Sequence, residues 1–474
     1  MFKRAGRSGA CGLLLCGAAA LAQPTVAVTP PAAAISLPEP SGAPQSIDFD
    51  RDPLIRFSHA AVPARPFLDT LGRAVEVHPN VAAAIADAQS REGVRTQVRA
   101  GLFPQVDASL VTQRSLANRF QSGDTFIESL APRTRADAVI NADQLIYDFG
   151  ATGSRISAAN DRIRAARAEV ERVAGDTALR AVNAWYNVLG YQMLVELSDA
   201  MAKRQRAILA DVRTRVVQGF GAAGDVARAE AVLADTEVQA ARYGRALEQA
   251  RGRYRETFGT DAPDHLSRPL PPRSEAQSLD NAQAMSRQSP AVAAALRRAE
   301  AARRDYRAAR ADGLPRLSAG VNGSRYDVFT GSDYDVRGTI SLRQSLFAGG
   351  AQRGRIDEAS AVSRQAGFIA DQVINESERD AGIAFTDVKS LTITEATLET
   401  AYIANRRSRD SYVEQFRVSR GTLIELLRAE QDYYSAAANY LQGIIELDVA
   451  RYALLTRTGE ILPAVGVKLS TAPM

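Results

Sequence analysis

The chain has 474 residues, with 58 Lys and Arg against 54 Asp and Glu and a formal charge of +4. Its two cysteines, Cys11 and Cys16, and its three histidines, His59, His78 and His265, supply no disulfide framework, no cluster with metal-ligand spacing and no nucleophilic triad. The charge falls to +1 (4 − 3) once Lys3, Arg4 and Arg7 of a leader are set aside, so the basic balance predicts no nucleic-acid partner.

Residues 1–22 read as a secretory signal. A basic start precedes an apolar run from Ala10 to Ala19, and Ala20-Leu21-Ala22 gives a small-x-small cleavage site before Gln23. Both cysteines lie inside it, and Leu15 stands before Cys16 where lipidation favours a small residue. Residues 23–66 are rich in Pro and Ala and predict an extended, poorly ordered lead-in. Phe67, Leu71 and Val75, spaced by four, then begin a helical pattern, and Pro79 suits the first position of a further helix that stops near Gly101.

The period then changes from 3.6 to 2. Val106, Ala108 and Leu110 alternate with Gln105, Asp107 and Ser109, and after a polar loop over 114–134 the alternation returns from Arg135 to Asp143. A proline-free helix is predicted from Ala151 to about Gly219, followed by a second from Asp225 to about Phe258. Pro263, Pro269, Pro271 and Pro272 break the pattern into a linker or a small mid-body patch over 260–280.

The order then recurs. Pro104 returns as Pro315, 211 positions on (315 − 104), while Gly150 returns as Gly350 and Gly221 as Gly421, each 200 on. A repeat unit of a solenoid runs roughly 20–50 residues, so this is a duplicated domain half. Strands are expected around Leu317–Asn322 and Asp333–Arg343, and long helices from Ala351 to about Ser419 and from Leu423 to about Thr456. The halves are bounded as 67–259 and 281–460, with a tail over 461–474. Ala-rich, proline-free helices of this length predict coiled-coil packing.

No run of about 18 apolar residues follows the leader, so no transmembrane helix is expected; a barrel strand needs only about 9–11 residues of alternating pattern. Four strands in two hairpins are marginal in water, and their polar sides carry Asp107, Asp137, Asp143, Asp335 and Arg337. In lipid they persist only in a closed barrel, to which several chains contribute; three chains of four strands give twelve.

Candidate sites fall at the helix turns. Gly219 to Gly224 spells GxGxxG, but a helix precedes it rather than a strand, so a helix-to-helix turn using glycine at positive φ is expected, not a nucleotide cradle. Asp225 and Glu425 are equivalent under the 200-residue offset. They stabilise helix N-termini or, in an assembly, form an acidic ring at the mouth of a tube.

The doubled Leu-Phe-Pro and Gly-Leu-Pro strand starts, the strand ends Gln144–Gly150 and Gln344–Gly350, and the two Gly-turn-Ala-Glu segments resemble the TolC-like outer-membrane efflux proteins over nearly the whole mature chain. The resemblance implies an α+β membrane protein: a homotrimer with a twelve-stranded barrel in outer-membrane lipid and a long α-helical tunnel through the periplasm. Pro104, Gly150, Pro315 and Gly350 then mark the strand starts and ends, and Gly221 and Gly421 the periplasmic tip. It implies a periplasmic adaptor and an inner-membrane pump as partners, with no cofactor and no catalysis. Glu425 falls where the family has an acidic tip residue, Phe416 where an aromatic is common, and Arg428 where some members have a second Asp. Arg428 is therefore expected to pair with Glu425 or Asp225 as a latch, with Arg420 beside it in the turn. Gln415–Arg417, Thr422–Leu427 and Arg457–Leu462 look most like type I secretion components working with an ABC transporter. A multidrug-efflux channel and a pore-free coiled-coil scaffold are the alternatives.

Overall fold

The computed structural model describes residues 37–59, 64–114, 135–329, 331 and 333–467. The expected leader with its two cysteines, the loop expected after Arg114 and the last seven residues lie outside them. In chain order the elements are α1 (Pro53–His59), α2 (Arg65–Val77), α3 (Pro79–Ala100), β1 (Gln105–Gln113), β2 (Arg135–Tyr147), α4 (Ala151–Val217) and α5 (Ala223–Phe258). There follow α6 (Leu279–Ser286), α7 (Pro290–Ala311), β3 (Arg316–Arg325), β4 (Tyr334–Arg343), α8 (Ala351–Arg417), α9 (Leu423–Thr458) and α10 (Ile461–Val465). A 22-residue helix, two strands, a 67-residue helix and a 36-residue helix thus occur twice in that order. At 1.5 Å per residue the long helices reach about 100 Å.

Local chemistry fixes their ends. Pro79 and Pro290 open α3 and α7, where a missing N–H costs nothing. Pro104 and Pro315 stand immediately before β1 and β3. Gly150 and Gly350 precede α4 and α8 with φ of 84° and 86°, a conformation that disfavours a side chain.

The strands form one four-stranded antiparallel sheet in the order β1-β2-β3-β4. The two hairpins read from the sequence are joined: β2 pairs with β3 from Ala138↔Arg325 to Tyr147↔Leu317, with an irregularity between Leu145 and Tyr147. Joining the hairpins satisfies backbone groups that two open edges would leave unpaired. The register sorts the faces. Val106, Ala142, Val321 and Gly338 lie in one row, and Ala108, Ile140, Gly323 and Val336 in the next. On the other face Asp107, Asn141, Asn322 and Arg337 align, with Asn322 donating to Asn141 and Arg337 paired to Asp335. The apolar face is bare in the single chain: Val106, Ile140, Val321, Ile340 and Leu342 are all more than half exposed.

The main core sits midway along the helices. Phe67, Leu71 and Val75 of α2 pack with Trp185, Tyr186, Leu441 and Tyr452, the Phe67 ring meeting Trp185 edge-on at 4.9 Å. The sequence misplaces one neighbouring segment and leaves a second open. Residues 37–59 of the lead-in are packed, with Leu54 and Ile55 in the core and Asp52 buried. Their few apolar and acidic side chains find a preformed surface on α8 and α9, which composition alone does not reveal. Of the two readings of 260–280, linker or mid-body patch, the structure has the packed patch. Trp185 Nε1 donates to Ser267 O at 3.1 Å, Tyr186 Oη to Pro269 O at 2.6 Å and Gln192 Nε2 to Pro263 O at 2.8 Å, so helix side chains satisfy its backbone. Buried Arg268 there pairs with Asp448 of α9, 2.6 Å away. Among the described residues no helix is long and apolar enough to cross a membrane.

Candidate functional site: the helical tip

α4 and α8 both end in a turn that hands the chain to a partner helix, and the backbone solves both turns alike. After α4, Gly219 N–H bonds Val216 O at 3.0 Å and Phe220 N–H bonds Arg215 O at 2.8 Å. After α8, Ser419 N–H bonds Phe416 O at 3.2 Å and Arg420 N–H bonds Gln415 O at 2.8 Å. These paired bonds are Schellman caps, which need one residue in the left-handed region. Gly219 fills it at φ 81°, and its equivalent Ser419 fills it at φ 58°.

Gly221 and Gly421 therefore do a different job from the positive φ expected of the turn. A Cβ on Gly221 would lie 3.0 Å from Val216 Cγ2; one on Gly421 would lie 3.3 Å from Gln415 Cβ and from Phe416 N. They are glycine because the chain doubles back against the last helical turn.

The two acids cap the helices that follow. Asp225 Oδ2 accepts from Ala222 N–H at 3.1 Å. Glu425 Oε2 accepts from Thr422 N–H at 2.9 Å and from Thr422 Oγ1 at 2.8 Å, while Thr422 Oγ1 accepts from Glu425 N–H at 3.3 Å, a complete capping box. The Thr422 backbone bond, then its hydroxyl, hold the Glu425 carboxyl below the usual glutamate value. The helix-capping reading thus has its geometry in the single chain.

The expected latch does not. Arg428 is exposed and, among the described residues, pairs with neither Asp225 nor Glu425. Both carboxylates are turned back on their own caps, whereas Arg428 lines a groove between α5 and α9 with Arg228, Asp235 and Asp432. Arg420 is exposed in its turn. Phe416 is half-buried beside a small apolar cluster of Ile208, Val212, Leu423, Leu426 and Leu427.

Sequence reading missed the residue that holds Phe416. Arg215 of α4 places its guanidinium 4.1 Å from the centre of that ring and donates from Nη2 to Phe416 O at 3.1 Å, joining the two long helices at their last turns. Deeper in, Arg204 of α4 pairs with buried Glu430 of α9 at 2.9 Å. Glu230, its equivalent under the 200-residue offset, stays on the surface and pairs with Arg213 at 2.6 Å. The same Ala-Glu motif therefore serves two environments, and no periodicity distinguishes them.

Paired long helices closed at one end by capped turns, and carried at the other by a sheet with a bare apolar face, form the fold shared with solved outer-membrane channels. The structure aligns with the outer-membrane channel OprN at a TM-score of 0.73 and 21% identity, covering 86% of this chain and 92% of OprN. The family profile described as outer membrane efflux protein matches residues 70–260. Among characterised relatives, outer membrane efflux protein BepC of Brucella suis is 24% identical over 335 residues, 69% of this chain and 73% of BepC. Protein CyaE of Bordetella pertussis is 26% identical over 331 residues, 67% of this chain and 69% of CyaE. In sequence over residues 70–260 and in fold over most of its length, the chain is similar to the TolC-like outer-membrane efflux proteins, channel proteins seated in the outer membrane and extending into the periplasm.

Proposed function

We propose that three copies of this chain close a twelve-stranded barrel, continue as one helical tunnel, and export protein through it by type I secretion. The observation that carries the conduit is the sheet. Its register gathers apolar side chains on one face and charged ones on the other, and β1 and β4 are left as open edges. Open edges are untenable in lipid, so further copies must pair with them. The helices support the same assembly. α4 buries 31 residues within the chain and the equally long α8 only eight. α8 leaves Val362, Phe368, Ile369, Ile383 and Ile393 exposed, an apolar face suited to a neighbouring copy.

In this reading Asp225 and Glu425 ring the mouth of the tunnel at its periplasmic end. Val217, Phe220 and Val418, all exposed there, offer an apolar surface to a periplasmic adaptor of an inner-membrane ABC transporter. The protein supplies no energy; docking opens the tip by shifting packed helices. The duplicated order of elements is read as an internal two-fold repeat spanning 67–259 and 281–460.

Multidrug efflux is the second reading, favoured by BepC, which is described as an efflux protein. A pore-free scaffold leaves the apolar sheet face without a purpose. The test compares a deletion strain with its parent by secreted-protein profile and drug susceptibility together. Loss of one large secreted or surface protein with drug tolerance intact is the expected result. Drug sensitivity with an unchanged secretome moves the protein to efflux.

A further inference from the structure

Residues 37–59 run along one stripe of α8, antiparallel to it. The stripe is Glu395, Glu399, Tyr402, Arg406 and Arg409-Asp410, spaced four, three, four and three, so all share one helix face. Ser58 Oγ donates to Glu395 Oε1 at 2.9 Å, and His59 lies 3.6 Å from Glu399. Tyr402 Oη donates to Asp52 Oδ2 at 2.8 Å, and Arg406 pairs with the same oxygen. Arg409 Nη2 donates to Pro38 O at 3.1 Å, and Ser41 N–H to Asp410 Oδ2 at 3.1 Å. The contact spans about 22 Å of helix at 1.5 Å per residue.

Two features separate this from incidental packing. Of the eight residues that α8 buries, four are Tyr402, Arg406, Arg409 and Asp410, all on this stripe. The segment also ties α8 to its neighbours. Arg409 lies 4.3 Å from the centre of the Tyr433 ring of α9, and Tyr402 Oη lies 3.2 Å from Tyr433 Oη. At its other end Arg268 Nη1 donates to Phe57 O at 3.0 Å while its Nε holds Asp448 of α9 at 2.6 Å. Asp52 has a second duty, since its Oδ1 caps α1 through Leu54 N–H at 2.9 Å. One buried carboxylate thus both starts the short helix and binds the long one.

We propose that residues 37–59 form a strap that holds the lower half of α8 against α9 and thereby sets the resistance of the tip to opening. The proposal rests on the channel reading above. α8 runs on from Asp410 for two turns to Phe416 and the tip, so a helix released at the strap is free to shift there. The strap acts on the resting state and takes no part in selecting what passes.

The test uses the full chain, reconstituted in planar bilayers. Asp52→Asn removes the charge that holds Arg406. A second protein carries Ser58→Cys with Glu395→Cys, placing the only cysteines outside the leader across the strap and α8. A third combines all three changes. Asp52→Asn is expected to raise the time-averaged conductance several-fold. In the triple variant, oxidation is expected to return it to the wild-type level, and reduction to raise it again. Such reversible rescue distinguishes a loosened strap from a misfolded protein. Unchanged conductance in Asp52→Asn, or a rise that the disulfide does not reverse, overturns the strap and leaves the channel reading in place. No conductance from the wild type or any variant removes the channel reading, and the strap with it.

Discussion

The Arg215 guanidinium sits 4.1 Å from the centre of the Phe416 ring and donates to the Phe416 carbonyl at 3.1 Å, so one side chain of α4 grips both the ring and the backbone of α8 at its last turn. A cation over an aromatic face is worth about 0.5–2 kcal/mol, more as water is excluded. Phe416→Ala is expected to raise the resting conductance in bilayer recordings, and Arg215→Ala to raise it further, because it loses the carbonyl bond as well. Arg215→Lys retains the charge but not the planar fork, and is expected to fall between them. Equal conductance in all four proteins removes the grip from the account.

The acids at the turns carry two separable expectations. If they ring the mouth, Asp225→Ala with Glu425→Ala lowers cation selectivity, read as a shift of reversal potential in a salt gradient. If they serve only as caps, selectivity stays unchanged. Arg428→Ala is expected to increase cation selectivity by removing the positive charge closest to that ring. No rise in resting conductance is expected, because Arg428 pairs with neither acid.

Acid should loosen the tip. The folded Glu425 carboxyl lies below its ordinary value, held there by Thr422. The sign follows: the stabilisation is complete above the ordinary glutamate pKa and is lost as pH falls through the lower folded value. Resting conductance is therefore expected to rise only at pH values below the ordinary glutamate range. Thr422→Val, which removes the hydroxyl but keeps the backbone bond, should move that rise to higher pH.

The two turns predict opposite outcomes for one exchange. Ser419 holds a left-handed conformation that costs a non-glycine residue roughly 1–2 kcal/mol. Ser419→Gly is expected to recover part of that, offset by the greater freedom of glycine in the unfolded chain, and to raise the melting temperature of the helical circular dichroism signal. Gly219→Ser is expected to lower it. Gly421→Val should lower it most, since its side chain meets Gln415 and the Phe416 backbone.

Asp448 is fully buried, and Arg268 reaches it from the 260–280 patch. Burial pushes the Asp448 carboxyl up, against the pull of Arg268 and Arg451. Removing one partner strands the other charge, a cost of about 3–5 kcal/mol. Arg268→Met is expected to destabilise by that order in thermal unfolding, more than the exposed Arg206→Met, which breaks only a surface pair with Glu237.

Much of this layout was legible because it is written in period and punctuation. The alternation from Gln105 onward, the prolines at 79, 104, 290 and 315, and the glycines at 150 and 350 each act on their own neighbours, so a single sequence exposes them. The glycine and acid positions at the tip were legible for the same reason. What stayed hidden depends on partners far along the chain. Asp52 finds Tyr402 and Arg406 about 350 residues away, and Arg215 finds Phe416 across two helices. The packing of 37–59 was missed because prolines and alanines read alike whether free or docked. That Ser419 takes the conformation of Gly219 was hidden too, since nothing in its type asks for positive φ.

The account stands most directly on bilayer conductance of the purified wild-type protein beside the Arg215→Ala, Phe416→Ala double variant. It predicts a small, cation-preferring conductance for the wild type and a several-fold larger one for the double variant. If both proteins insert and the double variant conducts no better than the wild type, the tip formed by α4 and α8 is not the closed end of a conduit.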